Sequence, residues 1–169
     1  VGSEAAASLL YSSLSAGECP CAAQVMVALA ERRPGTATDI YMKRYLGGND
    51  AERAAALFAI ASTGAPEAAE ILIDAATAAL FRRDPTGAVQ ALLLYAKKIG
   101  LSGEVKKMER IASQVIDASR EQEAASQRLA AMSVIAEVKG SDALGMLLEA
   151  ADDPDLAIRG GVLRLAAGI

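Results

Sequence analysis

The 169-residue chain has no histidine, no tryptophan and only two cysteines. Without an imidazole there is no side-chain base that titrates near neutral pH, and Ser-His or Cys-His nucleophile pairs are excluded. Two thiolates cannot complete a four-ligand zinc site by themselves, so no metal is expected. No phosphate loop or dinucleotide fingerprint occurs, and no cofactor is expected. Positive charge is also short: 17 Lys and Arg stand against 21 Asp and Glu, for a net charge of -4. Nucleic-acid binding needs a dense basic patch, so no nucleic-acid partner is expected. No apolar run approaches the ~20 residues that span a bilayer. The chain begins Val-Gly-Ser with no visible signal peptide. The expectation is a soluble protein of the cytoplasm or periplasm, its leader absent or already removed.

What is abundant is small and aliphatic. Hydrophobic residues make up 53% of the chain and aromatics only 4%. A core must then be built from Ala, Leu, Ile and Val, and these with Glu, Lys and Arg favour helix over strand. The class is all-α. Breakers mark the segments. Helices are expected at about 4–16, 20–32, 38–46, 50–63, 66–82, 85–99, 103–116, 120–138, 142–151 and 154–167. Gly35, Gly47-Gly48, Gly64, Gly100 and Gly140 follow helical segments as stops. Asn49 or Asp50, Asp84, Ser102, Ser119, Ser141 and Asp153 offer N-caps. Pro20, Pro66, Pro85 and Pro154 fit first helical turns, where the missing N–H costs nothing. Within 50–63, Ala54, Leu57, Phe58 and Ala61 recur at helical spacing.

The segments repeat. "NDAERAAALFAIASTGAPEAAEILIDAA" (49–76) aligns with "ASQRLAAMSVIAEVKGSDALGMLLEAA" (125–151), matching Arg53 to Arg128, Ile60 to Ile135 and Leu72 to Leu147. Paired helices start near Pro20, Asp50, Asp84, Ser119 and Asp153, a spacing of 30 to 35 residues. The closing "DDPDLAIRGGVLRLAAGI" restarts the unit. With its Asp153-Pro154 turn, Ile158-Arg159 and Gly160-Gly161-Val162-Leu163, it resembles the first helix of a HEAT repeat of the bacterial, phycobilin-lyase-like type. The resemblance runs from about Asn49 onward and is weak at 84–117, where Gln90 stands at the arginine position. It implies a single domain over 1–169, a right-handed α-solenoid of about five antiparallel helical pairs of HEAT or armadillo kind. Residues 1–48 form a degenerate, capping part and 49–169 the repeats.

HEAT-like folds imply a non-catalytic scaffold that binds a partner peptide or helix on a concave face lined by the second helix of each pair. On the second helix of one pair, Glu67, Glu70, Asp74 and Thr77 recur as an acidic strip. On the next, Lys107, Arg110 and Gln114 recur as a basic one. The strips are expected side by side, about 10 Å apart. The plainer reading pairs them with each other or leaves them solvated. The enzyme alternative is a HEAT-like lyase or nucleobase-acting protein, such as the alkylbase glycosylases. Those need a basic groove and stacking aromatics, which this composition lacks.

A third alternative is a redox or metal-handling module at Cys19-Pro20-Cys21. Pro20 places Cys19 before a helix and Cys21 in its first turn, where exposed N–H groups favour a thiolate. The string is similar to the redox motif of mitochondrial intermembrane-space import oxidoreductases, over three residues and without that family's twin Cys-x9-Cys frame. As plain structure, both cysteines are small apolar residues at a helix start. Asp152, Asp153 and Asp155 cap the last helix. The first helix carries no charge after Glu4, and "RLAAGI" ends a half-finished pair. The expectation is a segment of a longer solenoid, or a chain that self-associates through its N-terminal helix.

Overall fold

The structure is a computed structural model and describes residues 4–16, 21–32, 38–121 and 124–169. Among the described residues it is all-helical, with ten α-helices, one 3-10 turn and no strand. The helices are α1 (Glu4–Ala16), α2 (Ala22–Arg32), α3 (Thr38–Gly47), α4 (Asp50–Thr63), α5 (Ala68–Ala78), α6 (Ala88–Leu101), α7 (Val105–Glu121), α8 (Ala125–Lys139), α9 (Leu144–Ala150) and α10 (Leu156–Ala167); the 3-10 turn, Gly140–Ala143, leads into α9.

The even-numbered helices form a row: α2 packs on α4, α4 on α6, α6 on α8 and α8 on α10. Odd-numbered helices sit on this row. α3 packs on α4, α5 on α4 and α6, α7 on α6 and α8, and α9 on α10, while α1 touches α2 and α3. The buried layer between them is aliphatic, as the composition requires. Leu57, Ile60, Leu72, Leu92, Met108 and Ile158 are all fully buried. Alanines fill the remaining contact surface, among them Ala56, Ala59, Ala76 and Ala112. Small side chains bring helix axes close.

Helix α4 is the best-defined element locally. Asn49 Oδ1 accepts from Glu52 N at 3.0 Å, and Glu52 Oε2 accepts from Asn49 N at 3.1 Å, a reciprocal capping box. Glu52 also meets Arg44 at 3.1 Å, and Arg44 donates to the Leu14 carbonyl at 2.7 Å. One arginine thus ties α1 and α3 to the start of α4. At the other end the chain turns at Gly64, φ 67°. Lys98 of α6 donates to the Ser62 carbonyl there, a cation set against a helix C-terminus.

Several expected boundaries need correction. The fifth helix stops at Ala78, not Arg82, because Leu80 (φ 53°) and Phe81 (φ 52°) are left-handed. Phe81 N then bonds back to the Ala76 carbonyl at 2.9 Å, and the Phe81 ring is buried. Gly100 is no stop. It lies within α6, buried, where an added Cβ would meet Met108 and Val138 at 3.0 Å. Its bare backbone lets α6 press against α7 and α8; the turn falls at Gly103, φ 104°. Ser119 lies inside α7, fully buried, and caps nothing. Ser102 closes α6. Asp155, rather than Asp153, is the N-cap of α10, accepting from Ala157 N at 2.8 Å. Asp84 lies three residues ahead of the Gly87 cap of α6. Its carboxylate still accepts from Ala88 N at 3.0 Å.

Candidate functional site

The two polar strips stand on helices that share a neighbour. Glu67 precedes α5, and Glu70 and Asp74 lie along it; Lys107, Arg110 and Gln114 lie along α7. All six side chains are exposed. α5 and α7 each pack on α6, and they do not form a packed helix pair of their own. No ion pair crosses between the strips among the described residues. Lys107 pairs with Glu104 of its own segment at 3.0 Å, both of them more than half exposed, so the pair stabilises little. Glu67, Glu70, Asp74 and Arg110 make no side-chain hydrogen bond or ion pair among the described residues. Thr77 Oγ1 is spent on the Ile73 carbonyl at 2.8 Å.

Between the strips lies a residue that sequence reasoning did not select. Tyr95 of α6 is 3% exposed. Burial, first, raises its phenol above the ordinary value. Lys107 acts in the opposite sense, and Glu67 and Glu104 add to the rise. One charge from each strip therefore acts on the phenol of one largely buried tyrosine. The available signal was a polar-tipped aromatic at 95, in helical register with Leu92 and Ile99 on an otherwise apolar face.

A second concave surface is apolar. A groove of about 620 Å³ runs between α2 and α4, lined chiefly by Ala23, Val27, Ala28, Ala54, Ala55 and Phe58. Of the four apolar positions that recur at helical spacing in α4, Leu57 and Ala61 are fully buried. Ala54 and Phe58 instead open onto this groove.

Cys19 lies outside the described residues. Cys21 is exposed and sits just before α2, its carbonyl accepting from Val25 N at 3.0 Å. It occupies a cap position rather than the first turn. Among the described residues no group of three or more His, Cys, Asp or Glu side chains could hold a metal ion. No helix among them is long and apolar enough to cross a membrane.

The repeat-matched arginines differ. Arg128 of α8 reaches Asp153, in the turn before α10, at 3.2 Å, and both side chains are largely buried. Asp153 also accepts from Asp155 N at 2.9 Å, and Arg159 donates to the Asp153 carbonyl at 2.8 Å, so the Asp-Pro turn is tied on three sides. Arg53 of α4 forms no comparable pair with Asp84, its counterpart before α6. Compared with known proteins, the chain matches no family model, no curated protein and no solved structure.

Proposed function

We propose that the chain is a non-catalytic helical-repeat scaffold, of HEAT or armadillo kind, that holds a polar partner peptide or helix across α5, α6 and α7. The row of even-numbered helices, each carrying odd-numbered helices on it, supports a solenoid of helical pairs. The observation that carries the binding surface is the set of exposed, unpaired charges on the two segments packed on α6: Glu67, Glu70 and Asp74 at α5 and Arg110 on α7. Charge that is not satisfied within the fold is available to an opposite charge on a partner, and steers its approach.

The test places a photo-crosslinking residue at Gln114 and applies source-cell extract. A discrete partner band is expected, weakened at least tenfold by Glu70→Lys with Asp74→Lys and restored by neither single reversal. An unchanged band in the double variant removes this interface.

Self-association is a separable part of the proposal. Leu156 and Leu163, one heptad apart on one face of α10, are 74% and 56% exposed, and Leu9 of α1 is 72% exposed. These leucines support end-on contact between copies. The mass by light scattering is expected to rise with concentration, and Leu156→Lys with Leu163→Lys to abolish the rise. A monodisperse monomer at all concentrations refutes it.

A further inference from the structure

We propose that the cavity beside Arg53 binds a small monocarboxylate with an apolar body. The cavity measures about 400 Å³, and its walls include Tyr45, Leu46, Arg53, Ala78, Asp84 and Thr86. It lies where the end of α3, the start of α4, the end of α5 and the turn into α6 converge. This size and mixture, apolar walls with a few polar groups, suits a small-molecule site.

The cation in it has no acid of its own, and one of its donors is buried. Arg53 Nε is buried and has no hydrogen-bond partner, and its guanidinium makes no ion pair among the described residues. Arginine cannot shed its charge, so the cost of burying that donor stands. Arg128 shows the difference. Its Nε is also unpartnered, but Asp153 neutralises the group at 3.2 Å. The corresponding acid on the cavity wall, Asp84, is engaged by its own turn. It accepts from Thr86 N at 2.9 Å, from the Thr86 hydroxyl, and from Ala88 N at 3.0 Å.

The chemistry of the walls selects the ligand. A carboxylate matches the flat guanidinium fork with two parallel hydrogen bonds. Tyr45, Leu46 and Ala78 then meet an aliphatic or aromatic body. A phosphate dianion would meet the Asp84 charge in the same small space and leave the apolar walls uncovered. The wall at the end of α5 is also where Leu80 and Phe81 hold left-handed backbone, at φ 53° and 52°. Side chains other than glycine hold that geometry only where the surroundings enforce it.

Isothermal titration of the full chain tests the proposal with isovalerate, benzoate, isovaleramide and inorganic phosphate. Both carboxylates are expected to bind, and the amide and phosphate to bind at least tenfold more weakly. Arg53→Gln should weaken the carboxylates about 10- to 100-fold, the usual loss of a charged hydrogen bond. Ala78→Leu keeps the charge but narrows the cavity, and should weaken benzoate more than isovalerate. Circular dichroism reports whether each variant is folded; if Arg53→Gln is not, Ala78→Leu and the amide comparison decide. The proposal is overturned if neither carboxylate binds at millimolar concentration, if the amide binds as well as the acid, or if folded Arg53→Gln binds like the parent.

Discussion

Leu92→Ala is expected to lower the unfolding free energy by about 2–5 kcal/mol, the range for deleting a buried leucine side chain. Leu92 is fully buried in α6. That helix alone packs on α4, α5, α7 and α8 together. Collapse around the missing methyls is hard here. The neighbouring Ala91 and Ala96 are buried too, and alanine has no rotamer with which to fill a void. A domain of this size has about 5–15 kcal/mol in total, so the variant should approach the edge of folding at room temperature. Leu101→Ala provides the contrast at the end of the same helix. Leu101 is 64% exposed, and its loss should stay within about 0.5 kcal/mol. Urea melts of both variants, with the slope unchanged from the parent, make the comparison. A Leu92→Ala loss below about 1 kcal/mol would mean that α6 is not the centre of the packing.

The helical class was legible because every level of the sequence agreed. In α4 the apolar spacing, the Asn49 cap and the Gly64 stop all point one way, and the helix runs over the expected residues. Elsewhere a local signal served a different purpose. Gly100 reads as a stop, yet its missing side chain is needed for contact with Met108 and Val138, residues 8 and 38 positions away. The end of α5 carries no glycine at all. Its left-handed turn at Leu80 and Phe81 brings Phe81 into the core, and burial of a ring overrides the local preference.

The candidate site divides in the same way. The exposed charges of the two strips follow from helical periodicity alone, so Glu70 and Arg110 could be picked from spacing. Tyr95 could not, because its significance depends on Glu67 and Lys107 reaching it from two other segments. Nor does the repeat alignment distinguish Arg53 from Arg128. It matches them as equivalents, and only the third dimension shows that one has its acid and the other does not.

That difference predicts opposite outcomes for one kind of substitution. Arg128→Met should cost about 3 kcal/mol, the lower part of the range for removing one member of a buried ion pair. It leaves the Asp153 carboxylate mostly buried, its side chain 14% exposed, with the Asp155 N–H as partner and no ion pair; Arg159 reaches the Asp153 backbone carbonyl instead. Adding Asp153→Asn removes the stranded charge and should recover part of the loss, giving a coupling of about 1–2 kcal/mol in the double-mutant cycle. Arg53→Met should instead fall within about 0.5 kcal/mol of the parent, or stabilise, because it removes a donor whose burial is not offset by a partner. The methionine keeps most of the apolar stem that lies against the neighbouring helices. Guanidinium chloride would screen these charges, so urea is the denaturant of choice for both variants. Equal losses at the two positions would show that Arg53 finds an internal partner in solution, and would leave the cavity beside it without its cation.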